Sequence, residues 1–257
     1  MSALPGGSLS GRLARAIAED LRLLAYLHDR ELEGATLSAL RSAAFPDNLA
    51  LVLECEPAQA AMDLLRSALS QLEPDAGPET RDVLDVDYAA IYLNHTLRAA
   101  PNESVWLDEE ELAMQAPMFE VREWMARHGL TVPNWRVRPE DHLVHELEFV
   151  AFILESEPTG GALAEAADFL DRHLLRWVPD FSRRVAARCE TQFYAGLNAL
   201  TGCYLDEARD LLAEITGEPR PTPEEIEARI AAERPAEASP GKVEVPLRYV
   251  PGASPSW

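Results

Sequence analysis

Cysteine is scarce in this chain: three in 257 residues, Cys55, Cys189 and Cys203, odd in number and far apart. They form no Cys-x-x-Cys pair and no Cys/His zinc spacing, which argues against a disulfide framework and fits a reducing compartment. Positive charge is short as well. Lysine and arginine number 23 against 44 aspartates and glutamates, a formal net charge of −21. A phosphate backbone would be repelled, so nucleic acid is excluded as a partner. The acidic surplus favours basic partners, and it serves solubility in any case. No uninterrupted apolar run approaches a membrane span, and residues 1–10 lack the basic start and apolar centre of a signal peptide. The expectation is a cytoplasmic protein. Glycine motifs are missing too: there is no Gly-x-x-x-x-Gly-Lys-Ser/Thr, no Gly-x-Gly-x-x-Gly and no Gly-x-Ser-x-Gly. Standard nucleotide cradles and the usual hydrolase elbow are thereby excluded.

Helical periodicity fills most of the chain. Leu13, Ile17, Leu21, Leu24 and Leu27 stand at helical spacing behind Ser8 or Ser10 as caps, with Gly34 as the stop. Further helices are predicted over 37–44, over 57–72 from Pro57, and over 79–95, with a turn at 74–78 and a helical or irregular connector at 49–53. More follow over 109–116, 118–128, 140–155, 162–175, 179–189 and 191–216. No alternation recurs long enough to pair a sheet, so the fold class is all-α. Residues 131–138, containing Pro133 and Trp135, read as a linker between halves 1–130 and 139–217. Beyond Gly217 prolines recur, leaving a Pro-rich tail over 218–257. It has one amphipathic helix over 223–233, and 243–250 could dock as an extended arm.

Two segments stand out. Pro101-Asn102-Glu103-Ser104-Val105-Trp106 and Pro139-Glu140-Asp141-His142 each set a proline before a helical run, with acidic, hydroxyl or imidazole groups just behind it. Local chemistry accounts for both as well-made helix starts. Together with Tyr88, Ile91, Tyr92 and Trp135 they could instead wall an apolar groove edged by Glu103, Glu140 and Asp141. Paired carboxylates there would accept arginine as bidentate partners. His142, His145 and Glu146 also allow a metal-dependent hydrolase, although the second histidine of the zinc-protease pattern is missing.

The tract Asp87-Tyr88-Ala89-Ala90-Ile91-Tyr92, then 101–106, then Pro139-Glu140-Asp141-His142 with Glu146-Leu147-Glu148-Phe149, resembles the TorD/DmsD family of molybdoenzyme maturation chaperones. Three departures mark the likeness. Asn94-His95-Thr96-Leu97-Arg98 stands where a Gly-Pro turn is common, Asn102 replaces an aromatic, and the tail is additional. The resemblance implies a TorD-like helical bundle of two packed halves joined by a hinge, spanning 1–217, with the tail partly disordered or docked. It implies a chaperone and not an enzyme, without a cofactor of its own, that binds a twin-arginine signal peptide and the catalytic subunit of a molybdopterin oxidoreductase of the DMSO reductase family. A monomer is expected, with a domain-swapped dimer as the alternative. Carried across, the peptide-binding residues are Tyr88, Ile91, Tyr92, Pro101, Ser104, Trp106, Pro139, Glu140, Asp141 and His142. A helical interaction scaffold using only the acidic surface and the tail is the other non-enzymatic reading.

Overall fold

Small and branched apolar residues recur at three- and four-residue steps along the first helix. Ala14, Ile17, Ala18, Leu21, Leu24, Ala25 and His28 therefore fall on one buried face of α1 (Leu9–Asp29). In the computed structural model, which describes residues 9–71, 78–94, 96–156 and 160–233, that face packs along α7 (Leu143–Ser156). Helix α7 is buried nearly all round, through Leu143, Val144, Leu147, Phe149, Val150, Ala151, Ile153 and Leu154. A helix apolar on every side belongs at the centre of a bundle. The other central helix is α10 (Gln192–Thr216), which packs against α3 (Glu56–Gln71), α8 (Gly160–Arg172) and α9 (Leu174–Ala186). Thr191 caps its start, its hydroxyl accepting from Tyr194 N–H, and Gly217 ends it in the left-handed conformation at φ 74°.

The remaining elements are α2 (Gly34–Ser42), α4 (Pro78–Tyr88) widening into a π-helical turn (Ala89–Leu93), α5 (Ser104–Leu107), α6 (Ala116–Arg127) and α11 (Pro223–Glu233). The described residues contain no strand, as the all-α reading requires. Two compact units divide the chain, Met1–Arg220 and Pro221–Trp257. In the second, Thr222 and Glu225 close a reciprocal capping box on α11: Glu225 N–H donates to the Thr222 hydroxyl at 3.3 Å, and Thr222 N–H to the Glu225 carboxylate at 2.8 Å. The arm expected at 243–250, and most of the turn expected at 74–78, lie outside the described residues.

Expected boundaries moved in several places. The first helix ends at Asp29, and Gly34, expected as its stop, instead opens α2. The helix expected over 109–116 does not form. The Asp108 carboxylate accepts the N–H groups of Glu110 and Leu112, both at 3.1 Å, and Glu111 and Met114 take positive φ. An aspartate that satisfies its own following backbone removes the incentive to continue a helix. Pro179 does not start α9 but lies within it. The buried stripe Leu174, Trp177, Val178, Phe181 and Val185 carries the helix through the proline. The helix expected from Glu140 begins at Leu143, after a turn.

Gly196 sets the approach of α3 to α10. A Cβ there would stand 2.9 Å from the Ala61 carbonyl oxygen and 2.9 Å from Leu65 Cγ. Gly196→Ala should cost about 1–3 kcal/mol through overpacking against backbone, read as a lowered chemical-denaturation midpoint. Gly34→Ala, with nothing within 4 Å of the added carbon, should stay within about 0.5 kcal/mol of wild type.

Candidate functional site

Segments 101–104 and 139–143 are bound to each other through backbone. Glu103 N–H donates to the Asp141 carbonyl at 2.9 Å and Leu143 N–H to the Pro101 carbonyl at 2.9 Å. These two bonds flank an antiparallel bridge between Asn102 and His142. The Asp141 carboxylate adds a third tie by accepting Ser104 N–H at 2.9 Å, which meets one of the unpaired donors at the start of α5. Ser104 in turn accepts Gln115 N–H at 3.1 Å, anchoring the far end of the acidic loop.

Beneath this staple lies a cluster of buried ionisable groups. Glu103 is fully buried and takes the Nδ1–H of His173 at 2.9 Å. Glu146, also fully buried, takes the indole N–H of Trp177 at 3.1 Å. Its Oε1 and the Asp141 Oδ1 have no donor partner. Burial, reinforced by the Glu103 and Asp141 charges, raises the Glu146 pKa well above its ordinary 4.5. Burial likewise raises that of Asp141, against the opposing Ser104 bonds. Like charges crowd one another in a low dielectric, so Glu146 and Asp141 keep their protons to higher pH than water-exposed carboxyls do.

The tyrosine tract forms a second buried network. Tyr88 and Tyr92 ring centroids lie 4.9 Å apart, and the π turn directs Ile91 and Tyr92 inward. The Thr201 hydroxyl donates to the Leu197 carbonyl at 2.8 Å, so it accepts from His28 Nε2–H at 2.8 Å. His28 Nδ1 is then left to accept from Tyr92 O–H at 2.5 Å. Burial pushes the His28 pKa down to about 3, keeping the ring neutral. Tyr88 O–H donates to the Asp29 carbonyl at 2.6 Å, and the Asp29 carboxylate pairs with Arg138, the residue before Pro139. Asp87 holds the start of α10, accepting Thr191 N–H at 2.7 Å and its hydroxyl at 2.6 Å.

Of the ten residues named from sequence, nine are buried: Tyr88, Ile91, Tyr92, Pro101, Ser104, Pro139, Glu140, Asp141 and His142. The staple brings Pro101, Ser104, Pro139, Asp141 and His142 together, and Asp29 with Arg138 links the tyrosines to them. Glu140 does not form a free rim, because Arg122 engages it bidentately at 2.7 and 3.1 Å. Trp106 alone is half-exposed. Its N–H donates to the Ala100 carbonyl at 2.8 Å, its edge meets Phe181, and the Arg184 guanidinium covers its face at 4.3 Å. Of the three residues considered for a hydrolase, the His142 and His145 rings stand 6.0 Å apart, but His142 Nδ1 accepts Val144 N–H and Glu146 turns to Trp177, and among the described residues no His/Cys/Asp/Glu group could hold a metal ion.

Sequence reading missed the acidic loop 108–111, which follows Trp106 and Leu107 directly and leaves Glu109, Glu110, Glu111 and Leu112 exposed. The signal was present as Asp-Glu-Glu-Glu, but helical periodicity concealed it.

The described body is all-helical, with a stapled pair of motif segments followed by a partly buried Trp106 and an exposed acidic run. Comparison with known proteins gives its kind. The family model described as nitrate reductase delta subunit matches residues 53–183, which contain both segments. The chaperone protein TorD of Psychrobacter sp. is 30% identical over 208 residues, covering 76% of this chain and 90% of that protein. TorD of Vibrio atlanticus is 28% identical over 193 residues, covering 71% and 89%. TorD of Vibrio cholerae serotype O1 is 28% identical over 140 residues, covering 51% and 63%. The chain belongs to the TorD family of molybdoenzyme maturation chaperones, and it is accordingly a chaperone and not an enzyme. Among the described residues no helix is long and apolar enough to cross a membrane.

The two buried networks give opposite pH signatures. Glu146 binds its proton more tightly folded than unfolded, so the stability it contributes is whole below about pH 4.5 and is lost as pH rises through its raised pKa. Glu146→Gln keeps the Trp177 bond and imitates the protonated form. Its stability relative to wild type should improve as pH rises from about 4.5 toward the raised pKa, by up to about 1.4 kcal/mol per pH unit, and level off above it. His28 binds its proton less tightly folded, so its contribution is present above pH 6.5 and is lost as pH falls toward about 3. Urea midpoints between pH 4 and 8 check both signs; a Glu146→Gln difference independent of pH would show that Glu146 stays ionised.

Proposed function

We propose that this maturation chaperone acts in the cytoplasm, where it binds the twin-arginine signal peptide and apoprotein of a molybdopterin oxidoreductase and delays export until the molybdenum cofactor is inserted. Family membership supports the maturation role. The observation that carries leader recognition is the half-exposed Trp106 at the rim of the staple, with the exposed carboxylates of Glu109, Glu110 and Glu111 close behind it in the chain. Carboxylates accept the planar arginine fork in bidentate fashion. Arg184 already rests on the Trp106 face, so the ring is placed to take a guanidinium. The apolar stretch of a leader would lie across Trp106 and Leu112, the latter 47% exposed. Tyr88, Ile91, Tyr92, Pro101, Ser104, Pro139, Glu140, Asp141 and His142 shape this surface from beneath, holding the segment that presents it. The working unit is a monomer.

Leader peptides labelled for fluorescence anisotropy test the reading. A client leader should bind near micromolar strength, about 8 kcal/mol, and more weakly as salt approaches physiological strength, where screening reaches about 8 Å. Trp106→Ala should weaken binding by about 1–3 kcal/mol. Joint replacement of Glu109, Glu110 and Glu111 by glutamine should abolish the preference for paired arginine over paired alanine. Equal binding of the two leaders by wild type would remove charge from the mechanism. Normal client activity in cells lacking the protein would overturn the chaperoning role toward that client.

A further inference from the structure

The staple and α9 hold three buried carboxyl groups together. Glu146 N–H donates to the His142 carbonyl at 3.1 Å, so its side chain rises from the first turn beyond the bridge. Glu103 and Asp141 sit one step along that bridge, joined by the Glu103 N–H to Asp141 carbonyl bond. His173 and Trp177, which hold Glu103 and Glu146, stand four residues apart across the start of α9, about one helical turn. No cation answers Glu146: one oxygen takes the neutral Trp177 indole, and the other has no donor. Arginines on the elements around it hold other partners. Arg122 of α6 holds Glu140, Arg209 of α10 holds Asp171 of α8, Arg172 of α8 holds Asp168, and Arg176 of α9 reaches the Arg172 carbonyl. Arg22 of α1 holds Glu148 and Glu155 farther along α7, and Arg138 holds Asp29. Among the imidazoles, His28 is bonded to Tyr92 and Thr201, and the His142 and His145 rings lie 6.0 Å apart.

We propose that the staple is a proton-operated latch: while Glu146 is protonated, segments 101–104 and 139–143 stay paired, and its ionisation parts them locally with the rest of the bundle still folded. An ionised Glu146 adds a buried charge without a partner beside Glu103 and Asp141. Relief requires water, and the staple is the place to admit it. Three bonds, from Glu103, Ser104 and Leu143 N–H, close it between two short loop segments, whereas every other wall of the cluster is a packed helix. The closed staple binds the Glu146 proton more tightly than an opened, hydrated one, as the raised pKa of Glu146 requires. The closed form is therefore fully favoured below about pH 4.5, weakens as pH rises toward the raised pKa, and changes no further above it. Asp141, whose pKa burial also raises, acts in the same direction. Opening unfastens Ser104, the first residue of α5, from Asp141, so the latch governs how firmly the segment carrying Trp106 is held.

Amide hydrogen exchange of the full-length protein, read residue by residue by NMR between about pH 4.5 and 8 and corrected for intrinsic exchange, tests the latch. Protection at Glu103, Ser104 and Leu143 should fall by up to about tenfold per pH unit and then level off, while that of Leu200 in the interior of α10 holds. The Trp177 indole N–H resonance should shift over the same range, because it is bonded to the titrating group. Glu146→Gln should abolish that shift and most of the fall in protection. If the variant does not fold, the wild-type coincidence of indole shift and falling protection decides by itself. Constant protection at the three amides, an equal fall at Leu200, a stationary wild-type indole resonance, or an undiminished fall in Glu146→Gln would each overturn the proposal.

Discussion

The backbone pairing of 101–103 with 141–143 is the constraint on which the rest of the site depends. It joins residues nearly forty positions apart, where the other backbone hydrogen bonds of the described residues are local. Because the pairing buries Glu103 and Asp141 beside Glu146, the fold must satisfy or neutralise three carboxyl groups in its interior. His173 and the indole of Trp177 answer two of them, from the end of α8 and from α9. Ser104 N–H answers the third. An unpaired buried charge is costly, so the identities of residues on three helices follow from one short bridge.

The same logic separates two kinds of acidic residue in a chain of net charge −21. Inside, carboxylates close helix starts and hold segments together, as Asp87 does for α10 and Asp141 for α5. Outside, the run 108–111 follows the partly buried Trp106 in the chain with its glutamates exposed to water. Interior acids hold the architecture, whereas Glu109, Glu110 and Glu111 lie exposed. The motif residues that mark the family are thus mostly buried, and the edge we propose for leader binding is Trp106 with the acidic run that follows it.

Much of the architecture was legible. Helical spacing in α3 and α10 was strong enough to place them within a residue, because their buried stripes repeat over many turns, whereas α1 ends at Asp29, short of the stop expected at Gly34. The Pro223 helix was legible down to both ends. What escaped were places where one side chain overrides periodicity. Asp108 captured the amides of Glu110 and Leu112 and stopped a helix that glutamates should favour. Around Pro179, the Trp177–Phe181 side of the core carried α9 through a residue that ordinarily begins or breaks a helix.

Composition and periodicity by themselves determined that the chain is all-α, acidic and without the glycine cradles of nucleotide enzymes, because these properties depend on residue type and short-range spacing alone. The order of the tyrosine tract and the two proline segments determined the family. Only the tertiary structure decided which of the marked residues face water. A carboxylate looks the same in sequence whether it caps a buried turn or awaits an arginine. The difference arises from the pairing of 101–103 with 141–143 and from the Arg122 and His173 partners, contacts between residues that local pattern cannot connect.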